Sequence, residues 1–464
     1  MIWLYNLIII IIQLVDSELI DLFVDEISYN LPNLSACAKW NLNGTTFTDK
    51  PVGTFEAYAL FVDTNNNLYM SNPANRDIYI WPNMSNRSNR IILYYWIKPY
   101  GLFLLKSGDI YTSSSEDGRV YRWIETTKTI EMVVQFCEVC TSIFISIRDI
   151  IYCSITSYHQ IVTKPLHNNS DLMTIVAGVG FLGSAENMLN SPRGIFVATN
   201  LDLYVADYNN NRIQLFHPGE INAITVAGTL NTTELRNPIS VVLDANNYIY
   251  IVDNGNHRIV AATPYGLRCI VSCMESGSSS SKLNNPRSMA FDSFGNLYVT
   301  DSFNDCIQKF SLSNNSCDTN GRKINTTLTS TLGITTLYES MYESIVTRNS
   351  STYSRYCKKG YFYENIQIIV SKQGNYDIFI NSTNQLYITL HKNYFDPAES
   401  STNLIFHQTD WCNVSQIKFI SHFHAGITYN LIISTAYPNM TSSFSLALIG
   451  PSHVNINRTS KCYS

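Results

Sequence analysis

The stretch NSPRGIFVATNLDLYVADYNNNRIQLF, residues 190–216, is repeated: two variants of it follow in the same chain. Residues 236–262 read RNPISVVLDANNYIYIVDNGNHRIVAA, and residues 284–310 read NNPRSMAFDSFGNLYVTDSFNDCIQKF. The proline of each copy lies 46 and then 48 residues after the proline of the previous one. A period in the forties is typical of architectures that repeat one small sheet.

Each copy has a local pattern that predicts four antiparallel strands. A proline precedes a short apolar strand, because proline cannot donate a hydrogen bond to a central ladder. Turns rich in Asn, Asp and Gly, as at residues 244–247, separate the next strands, since these residues tolerate tight hairpin conformations. In the first copy we expect strands at 194–198, 203–207, 212–216 and 223–228. Four strands per repeat indicate the blade of a β-propeller.

Weaker copies lie upstream, at residues 59–81, 101–123 and 141–162. All six copies carry a tyrosine in the second strand: Tyr69, Tyr111, Tyr152, Tyr204, Tyr250 and Tyr298. We therefore predict an all-β chain with a six-bladed β-propeller over residues 37–317. The tyrosines are expected between the blades, where each hydroxyl needs a hydrogen-bond partner.

A propeller must close its ring, and the sixth copy lacks an obvious fourth strand after Phe310. Residues 43–47, NGTTF, resemble the fourth strand of another copy at residues 224–226. We predict that this N-terminal segment supplies the missing strand, because its pairing would remove an open sheet edge.

The repeated pattern P-x-G/S-x-x-x-D…G/N-x-x-Y-V-x-D-x-x-N-x-R-I-x-x-F is similar to the NHL repeat. The resemblance is strong in the three copies from residue 190 onward and degraded in the three upstream. It implies a six-bladed propeller of a family used mostly as binding platforms. Some relatives of that family are enzymes, notably the peptidylglycine lyase of peptide amidation, which holds metals in its central channel.

A second domain is expected at the C-terminus. Residues 318–350 are rich in Asn, Ser and Thr and are predicted to be a linker. Residues 351–464 contain seven or eight short apolar segments, which predicts a β-sandwich. The words GNYDIFI, AGITYNLII and SFSLALIG resemble the bacterial pre-peptidase C-terminal domain, a jelly-roll-like accessory module. Such modules often carry an acidic pair, whereas the loop 407–411 contains only Asp410, so calcium binding is not predicted.

The N-terminus and the sequons predict a secreted glycoprotein. Residues 1–16 are predicted to be a signal peptide, because their apolar run is too short to span a bilayer. Thirteen Asn-x-Ser/Thr sequons lie along the chain, and such sequons are glycosylated on the surface of secreted proteins. The glycosylation candidates are Asn43, Asn83, Asn168, Asn231, Asn325, Asn381 and Asn439.

The composition excludes some partners. Only 14% of residues are charged, the net charge is −5, and the basic residues are scattered. A nucleic-acid partner is therefore not expected, since such proteins carry a basic patch or stripe. No later apolar run is long enough for a transmembrane helix.

The chain has eleven cysteines, an odd number. In an oxidising compartment most of them would pair, so at least one stays free or bonds to another chain. The pairings we consider are Cys269 with Cys273, Cys137 with Cys140 or Cys153, and Cys357 with Cys412 or Cys462. An intermolecular disulfide through the odd cysteine stays open.

Charged residues recur at equivalent positions of the strong copies: Asp207, Asp253 and Asp301 at the end of the second strand, and Arg212 and Arg258 at the start of the third. We expect each pair to meet across one turn and tie the hairpin together. This structural interpretation is preferred because repetition serves blade geometry, whereas a site needs unlike residues. In the third copy Cys306 replaces the arginine.

The sequence assigns no catalytic residue, no metal ligand and no cofactor. The propeller histidines are His159, His167, His217 and His257, and they form no set that recurs on the inner strands, whereas a catalytic zinc needs about three converging ligands. His422 and His424 are expected on one face of a strand. Ligand-binding residues stay unassigned, and the long loops 83–90 and 276–282 are the predicted contact regions.

These observations favour an extracellular binding protein that uses a rigid propeller as a recognition platform without catalysis. Its partner would be a protein, a peptide or a glycan. One alternative is a metal-dependent lyase or lactonase-type hydrolase with its site in the propeller channel. Another is a structural matrix protein that is cross-linked through its odd cysteine.

Overall fold

The computed structural model describes residues 28–47, 56–85, 88–136, 138–166, 172–228, 235–263, 266–273, 276–316, 337–347, 350–355, 358–384, 386–395, 403–408, 416–435 and 440–459. The predicted signal peptide lies outside these ranges. Within them the regular elements are strands and one-turn 3₁₀ helices, the latter at Pro82–Met84, Thr156–Tyr158, Tyr208–Asn210, Asn254–Asn256 and Ser302–Asn304. The predicted all-β fold is confirmed.

The N-terminal domain consists of four-stranded antiparallel sheets. Its first two strands are β1 (Lys39–Trp40) and β2 (Thr45–Thr46). The first sheet contains β3 (Leu60–Val62), β4 (Leu68–Asn72), β5 (Asp77–Trp81) and β6 (Asn89–Ile92). The second contains β7 (Pro99–Leu104), β8 (Ile110–Ser114), β9 (Arg119–Ile124) and β10 (Thr129–Gln135). The third contains β11 (Cys140–Ile145), β12 (Ile150–Ile155), β13 (Gln160–Pro165) and β14 (Met173–Ala177).

Three further sheets follow the repeats that decided the fold. The fourth contains β15 (Pro192–Val197), β16 (Leu203–Asp207), β17 (Arg212–Phe216) and β18 (Ile224–Ala227). The fifth contains β19 (Pro238–Leu243), β20 (Ile249–Asp253), β21 (Arg258–Thr263) and β22 (Gly266–Val271). The sixth contains β23 (Pro286–Phe291), β24 (Leu297–Asp301), β25 (Cys306–Phe310) and the N-terminal strand β2. The short strand β26 (Leu312–Asn314) pairs with β1.

The six sheets form a closed ring around a channel. Their first strands contact one another in the order β3, β7, β11, β15, β19 and β23, and β23 contacts β3 again. The ring is completed as the sequence predicted: in β2, Thr45 lies opposite Lys309 and Thr46 lies opposite Gln308. The amide of Gly44 also donates to the carbonyl of Ser280 at 2.7 Å. The outer edge of the sixth sheet is therefore paired rather than open.

The tyrosines of the second strands are buried in all six sheets. In three sheets the hydroxyl has a carboxylate neighbour in the turn between the first two strands, with oxygen–oxygen distances of 3.2 Å for Tyr69 and Asp63, 3.5 Å for Tyr250 and Asp244, and 3.3 Å for Tyr298 and Asp292. Each of these aspartates also accepts backbone amides of its own turn. One aspartate thus fixes the hairpin turn and supplies the hydrogen-bond partner that the buried tyrosine requires.

The C-terminal domain is a sandwich of two sheets. One sheet has the order β33 (Gln416–Phe423), β30 (Gly374–Ser382), β35 (Ser442–Gly450) and β27 (Tyr338–Val346). The other has the order β28 (Ser351–Arg355), β29 (Lys358–Val370), β34 (Thr428–Thr435), β31 (Leu386–Lys392) and β32 (Leu404–Gln408), with β36 (Val454–Thr459) also paired to β29. The rings of Phe406 and Phe419 stack between the two sheets with centroids 3.8 Å apart.

Strand β27 lies inside the stretch 318–350 that the sequence predicted as a linker. It is an edge strand with mostly exposed or half-exposed side chains, so it lacks the apolar alternation that reveals a buried strand. All nine of its residues are nevertheless paired with β35. The sandwich therefore takes in part of the predicted linker.

The two domains are joined by strand pairing. Strand β33 of the sandwich lies parallel to β14, the outer strand of the third sheet, with Met173 opposite Ile417 and Thr174 opposite Lys418. Four propeller strands and four sandwich strands thereby form one eight-stranded sheet. The amide of His407 also donates to the carbonyl of Val179 at 3.2 Å. This junction covers the outer edge of the third sheet.

Candidate functional site

The central channel is a cavity of about 140 Å³ lined by all six inner strands. Its residues fall into three layers, because equivalent positions of the six strands lie at the same height. The first layer is the floor, formed by the residues paired with the core tyrosines: Phe61, Phe103, Phe144, Phe196, Val242 and Ala290. Four phenylalanines in consecutive sheets make this end of the channel apolar.

Tyr29, from the segment that precedes the repeats, closes the floor. Its ring makes edge-to-face contacts with Phe103, Phe144 and Phe196, at centroid distances of 6.3, 5.6 and 5.6 Å. The adjacent Asn30 donates its side-chain amide to the carbonyl of Asp63 at 2.8 Å. These contacts hold the N-terminal segment across one end of the ring, so that end of the channel is blocked.

The second layer is a waist of small residues at six equivalent positions: Ala59, Gly101, Ser142, Gly194, Ser240 and Ser288. Neighbouring inner strands approach closely at this level. A Cβ atom on Gly194 would lie 2.5 Å from the carbonyl oxygen of Ile239, and one on Gly101 would lie 2.9 Å from the amide nitrogen of Ile143. A side chain at either glycine would therefore meet the backbone of the neighbouring strand, and the small residues of this layer together leave the middle of the channel open.

The third layer is the mouth, and it is chemically unlike the other two. The six equivalent positions are Tyr58, Tyr100, Thr141, Arg193, Ile239 and Arg287. All six side chains are partly exposed. Two arginines and two tyrosines thus surround an open mouth above a small waist and an apolar floor.

Aromatic stacking fixes one side of the mouth. The rings of Tyr58 and Tyr100 stack with centroids 4.3 Å apart and an interplanar angle of 21°. The guanidinium carbon of Arg287 lies 4.9 Å from the centroid of the Tyr58 ring, a favourable cation–π distance. Arg287 Nη1 also lies 3.2 Å from Glu56 Oε1. Arg287 is therefore held in place and has one carboxylate partner.

Arg193 occupies the opposite side of the ring, in the fourth sheet. Its guanidinium carbon lies 4.8 Å from the centroid of Tyr208, and its Nε is buried without an acceptor among the described residues. Burial raises the pKa of Tyr58, and the nearby Arg193 charge opposes that rise. Within the described part of the chain no carboxylate lies at ion-pair distance from Arg193. The positive charge of the partly exposed Arg193 is therefore open to an acidic group that enters the mouth.

The repeat positions singled out from the sequence lie elsewhere, in the hairpins of the fourth, fifth and sixth sheets. Arg212 Nε lies 2.7 Å from Asp207 Oδ2, and Arg258 Nε lies 2.7 Å from Asp253 Oδ2. The other oxygen of each aspartate accepts the amide of the loop that precedes the inner strand, from Asn190 and Arg236 respectively, both at 2.7 Å. These pairs therefore tie each hairpin both to itself and to that loop.

The third member of the series is Asp301. It accepts the amide of Asn284 at 2.7 Å, and the Cys306 thiol lies 3.9 Å from its Oδ2. Burial raises the pKa of both Asp207 and Asp301, while their hydrogen-bond donors act in the opposite direction. None of the five repeat positions lines the channel cavity.

The described histidines of the propeller do not converge. His159 Nδ1 and His257 Nδ1 each accept a backbone amide of the next sheet, from Ser191 and Asn285, at 2.9 Å. His217 lies 2.6 Å from Asp202 in a hairpin of the fourth sheet. His167 lies outside the described residues, which contain no group of three or more His, Cys, Asp or Glu side chains able to hold a metal ion.

His422 and His424 are on the sandwich side of the domain junction. Their rings are 5.0 Å apart, and His422 Nδ1 lies 2.8 Å from Asn375 Oδ1. Burial, with a smaller contribution from His424, lowers the pKa of His422. Both residues face a cavity between the domains rather than the propeller channel.

The two loops predicted as contact regions do not line the channel either. The loop 276–282 supports ring closure, because the carbonyl of Ser280 accepts the amide of Gly44. In the loop 83–90, Asn83 is exposed, and its backbone amide donates to Asn67 Oδ1 at 2.9 Å. Among the described residues no helix is long and apolar enough to cross a membrane.

The sequon positions are divided between described and undescribed residues. Asn43, Asn83 and Asn381 are exposed, as a glycosylated asparagine must be. The remaining candidates, Asn168, Asn231, Asn325 and Asn439, lie outside the described residues.

Disulfide bonds join Cys140 to Cys153 and Cys269 to Cys273. The second pair was predicted. The prediction that Cys137 bonds to Cys140 or Cys153 is wrong, because these two cysteines lie in adjacent strands of the third sheet and bond to each other. The cysteines of the third predicted alternative, Cys357, Cys412 and Cys462, lie outside the described residues.

Comparison with known proteins agrees with this architecture. A profile of the NHL repeat matches residues 189–216. No curated protein has a significant match to the sequence. Among solved structures, the chain resembles a structural-genomics protein of unknown function from Bacteroides thetaiotaomicron, with 13% identity and a TM-score of 0.50, over 58% of this chain and 76% of that one.

Two other similar structures have more specific descriptions. An auxiliary nutrient binding protein from Bacteroides thetaiotaomicron has 14% identity and a TM-score of 0.45, over 62% of this chain and 76% of that one. Virginiamycin B lyase from Staphylococcus aureus has 13% identity and a TM-score of 0.44, over 60% of this chain and 100% of that one. Identities this low assign no function to this chain. The chain is a β-propeller protein that contains an NHL repeat.

Sequence reasoning missed the two arginines of the mouth. Both follow the proline that opens the inner strand, in the words SPRG and NPRS. The repeat pattern recorded the proline and the small residue two places later, and treated the position between them as variable. That variability was the available signal, because a site on a repeated scaffold is built from positions that differ between copies.

Proposed function

We propose that this protein is an extracellular binding protein that holds its ligand at the open mouth of the propeller channel and performs no catalysis. The observation that carries this proposal is the asymmetry of the mouth. Six equivalent positions hold Tyr, Tyr, Thr, Arg, Ile and Arg, whereas the six waist positions all hold Gly, Ala or Ser. A rigid scaffold with one unlike layer is how repeat proteins build recognition surfaces.

The surface around the mouth adds contact area. The loop before β7 exposes Tyr94, Tyr95 and Trp96, whose relative residue exposures are 53%, 78% and 42%. Tyr94 and Trp96 stack with centroids 4.8 Å apart. The loop joins an outer strand to the next inner strand, so it lies on the rim that carries Tyr100. Exposed, mutually ordered aromatic rings are frequent anchors in recognition surfaces.

Secretion is part of the proposal. The apolar N-terminus, the sequons and the disulfides Cys140–Cys153 and Cys269–Cys273 together support an oxidising, extracellular location, since structural disulfides persist there. The partner is an extracellular protein, peptide or glycan. An intermolecular disulfide would use a cysteine other than Cys306, which is buried beneath its hairpin. The resemblance of the sandwich to the pre-peptidase C-terminal module supports an accessory role for that domain.

A capture experiment tests this function. The full-length protein is immobilised beside a variant with a filled waist, Ser240→Phe, and extracellular fluid is passed over both. We expect a ligand that the wild type retains and the variant loses, because the larger side chain occupies the channel beneath the mouth. Recovery of the ligand chemically unchanged, measured by mass spectrometry, is the expected result. Conversion of the ligand to a product would overturn the proposal in favour of a hydrolase or lyase.

A further inference from the structure

We propose that the mouth of the channel binds the carboxylate of a monoanionic ligand that carries a compact apolar group. Arg193 and Arg287 hold the carboxylate, and the apolar group enters the waist toward the phenylalanine floor. This inference rests on the proposed function and adds the chemical class of the ligand.

The charges of the mouth favour one negative charge. Two guanidinium groups face the opening, and the carboxylate of Glu56 compensates one of them through Arg287. Arg193 has no such carboxylate among the described residues; its partners are the ring of Tyr208 and the hydroxyl of Tyr58. One uncompensated positive charge at a partly buried site is best matched by a monoanion.

The donor geometry favours a carboxylate. A guanidinium is a planar fork of five donors that matches the two oxygens of a carboxylate. Arg193 is partly exposed at the mouth and has no carboxylate at ion-pair distance among the described residues, so a ligand carboxylate would supply its counterion. Arg287 is stacked on Tyr58, which keeps its plane fixed when the ligand arrives.

The size and polarity of the channel below the mouth determine which group can be bonded to the carboxylate. The waist positions carry only hydrogen, methyl or hydroxymethyl side chains, and the floor beneath them is lined by Phe61, Phe103, Phe144 and Phe196. The cavity volume of about 140 Å³ is close to that of engineered apolar cavities that bind benzene. A group the size of a phenyl ring therefore fits, and a fully hydroxylated sugar acid would leave its hydroxyls without partners at the floor.

Calorimetric titration with defined probes tests the inference on the full-length protein at low salt. The probes are 3-phenylpropionate, its uncharged amide, and glucuronate as a hydrophilic acid. We expect 3-phenylpropionate to bind with one-to-one stoichiometry and both other probes to bind at least about tenfold more weakly, the usual scale for one charge-assisted hydrogen bond. Equal binding of acid and amide, or binding of none of the probes, would overturn it.

Variants locate the site. Arg193→Gln should weaken the binding of 3-phenylpropionate by about tenfold or more. The matched control is Arg236→Gln, which replaces an exposed arginine outside the channel and should leave binding unchanged. Ser142→Phe, which fills the waist from another sheet than Ser240→Phe, should abolish binding while near-UV circular dichroism shows an intact fold. Undiminished binding by Arg193→Gln would refute the assignment.

The source of the carboxylate is resolved by two further probes. A peptide with a free C-terminal phenylalanine and the same peptide with an amidated terminus are titrated in parallel. Tighter binding of the free peptide than of 3-phenylpropionate, with no binding of the amidated peptide, identifies a peptide terminus, and binding of 3-phenylpropionate without the peptide identifies a small organic acid. If all carboxylates fail while Ser240→Phe still loses the captured ligand, this inference is wrong and the proposed function stands.

Discussion

Replacing Asp207 with alanine tests how the repeated aspartate stabilises the propeller. Asp207 Oδ2 lies 2.7 Å from Arg212 Nε, and the Arg212 side chain is only 4% exposed. Without the carboxylate, Arg212 becomes a buried charge without a counterion, a change that costs about 3–5 kcal/mol. Arg212 also donates to three backbone carbonyls at 2.9–3.0 Å. We therefore expect the lower end of that range, about 3 kcal/mol of unfolding free energy.

The chain contains two matched comparisons. In the fifth sheet the partner of Asp253 is Arg258, whose side chain is 25% exposed. Water screens the charge left by Asp253→Ala, so its expected cost falls to about 2 kcal/mol. In the sixth sheet Cys306 lies opposite Asp301, so Asp301→Ala removes hydrogen bonds without leaving a cation, at a cost of about 1–2 kcal/mol.

Urea unfolding at pH 7, followed by far-UV circular dichroism, measures the three costs. The expected order is Asp207→Ala, then Asp253→Ala, then Asp301→Ala. Adding Arg212→Met to Asp207→Ala should recover part of the loss, because the buried charge is then removed. Equal costs at the three positions, or the largest cost at Asp301, would refute the argument that the buried cation determines the series.

Three further predictions concern stability and need only purified variants. Burial raises the pKa of Asp244 to about 6, above its unfolded value of about 3.9, so this group contributes stability below pH 4 that is lost as pH rises through 6. The difference in unfolding free energy between Asp244→Asn and wild type should therefore shift by about 2–3 kcal/mol in favour of the variant between pH 4 and pH 7. Urea unfolding at both pH values measures this shift, and a difference that does not change with pH would contradict it. A disulfide that closes a longer loop stabilises more, so loss of the Cys140–Cys153 bond, which spans 13 residues, should cost about 3 kcal/mol, and loss of Cys269–Cys273, which spans 4, about 2 kcal/mol. Thermal unfolding of variants with both cysteines of a pair replaced by serine measures the two costs, and the reverse order would contradict the dependence on loop length. Gly44→Val should destabilise the sixth sheet, because a Cβ there lies 2.8 Å from the Phe310 ring, and hydrogen exchange should rise in β25; unchanged exchange would contradict this.

Most of the fold could be predicted because the repeats carry it. A proline, a small residue and a buried tyrosine recur at fixed spacing, and each has a local physical reason that does not depend on distant contacts. Strands β29, β30 and β35 of the sandwich are also recognisable in the sequence, since their apolar residues alternate regularly, and β34 is recognisable as an apolar run that is buried on both faces.

Elements without such alternation could not be predicted. Strand β27 lies at a sheet edge with one buried terminal residue, Val346. The parallel pairing of β14 with β33 uses backbone groups alone, so no side-chain pattern marks it. Tyr29 lies outside the repeats, and its position across the channel floor depends on the phenylalanines of three sheets.

The candidate site was hidden for a different reason. Arg193 and Arg287 are 94 residues apart in the sequence (287 − 193) and share a site only because their sheets belong to one closed ring. A repeat pattern describes what the copies have in common. The binding position is the one at which they differ, so it becomes interpretable only when the inner strands are aligned in space.

The N-terminal strand closes the ring of six sheets, and site-directed cross-linking of β2 to β25 tests this pairing. Thr45 lies opposite Lys309, whereas Thr46 is paired with Gln308 and points to the other face of the strand. The double variant Thr45→Cys/Lys309→Cys should form a disulfide that peptide mapping detects, and Thr46→Cys/Lys309→Cys should not. Absence of the first bond, or equal formation of both, would contradict the closed ring.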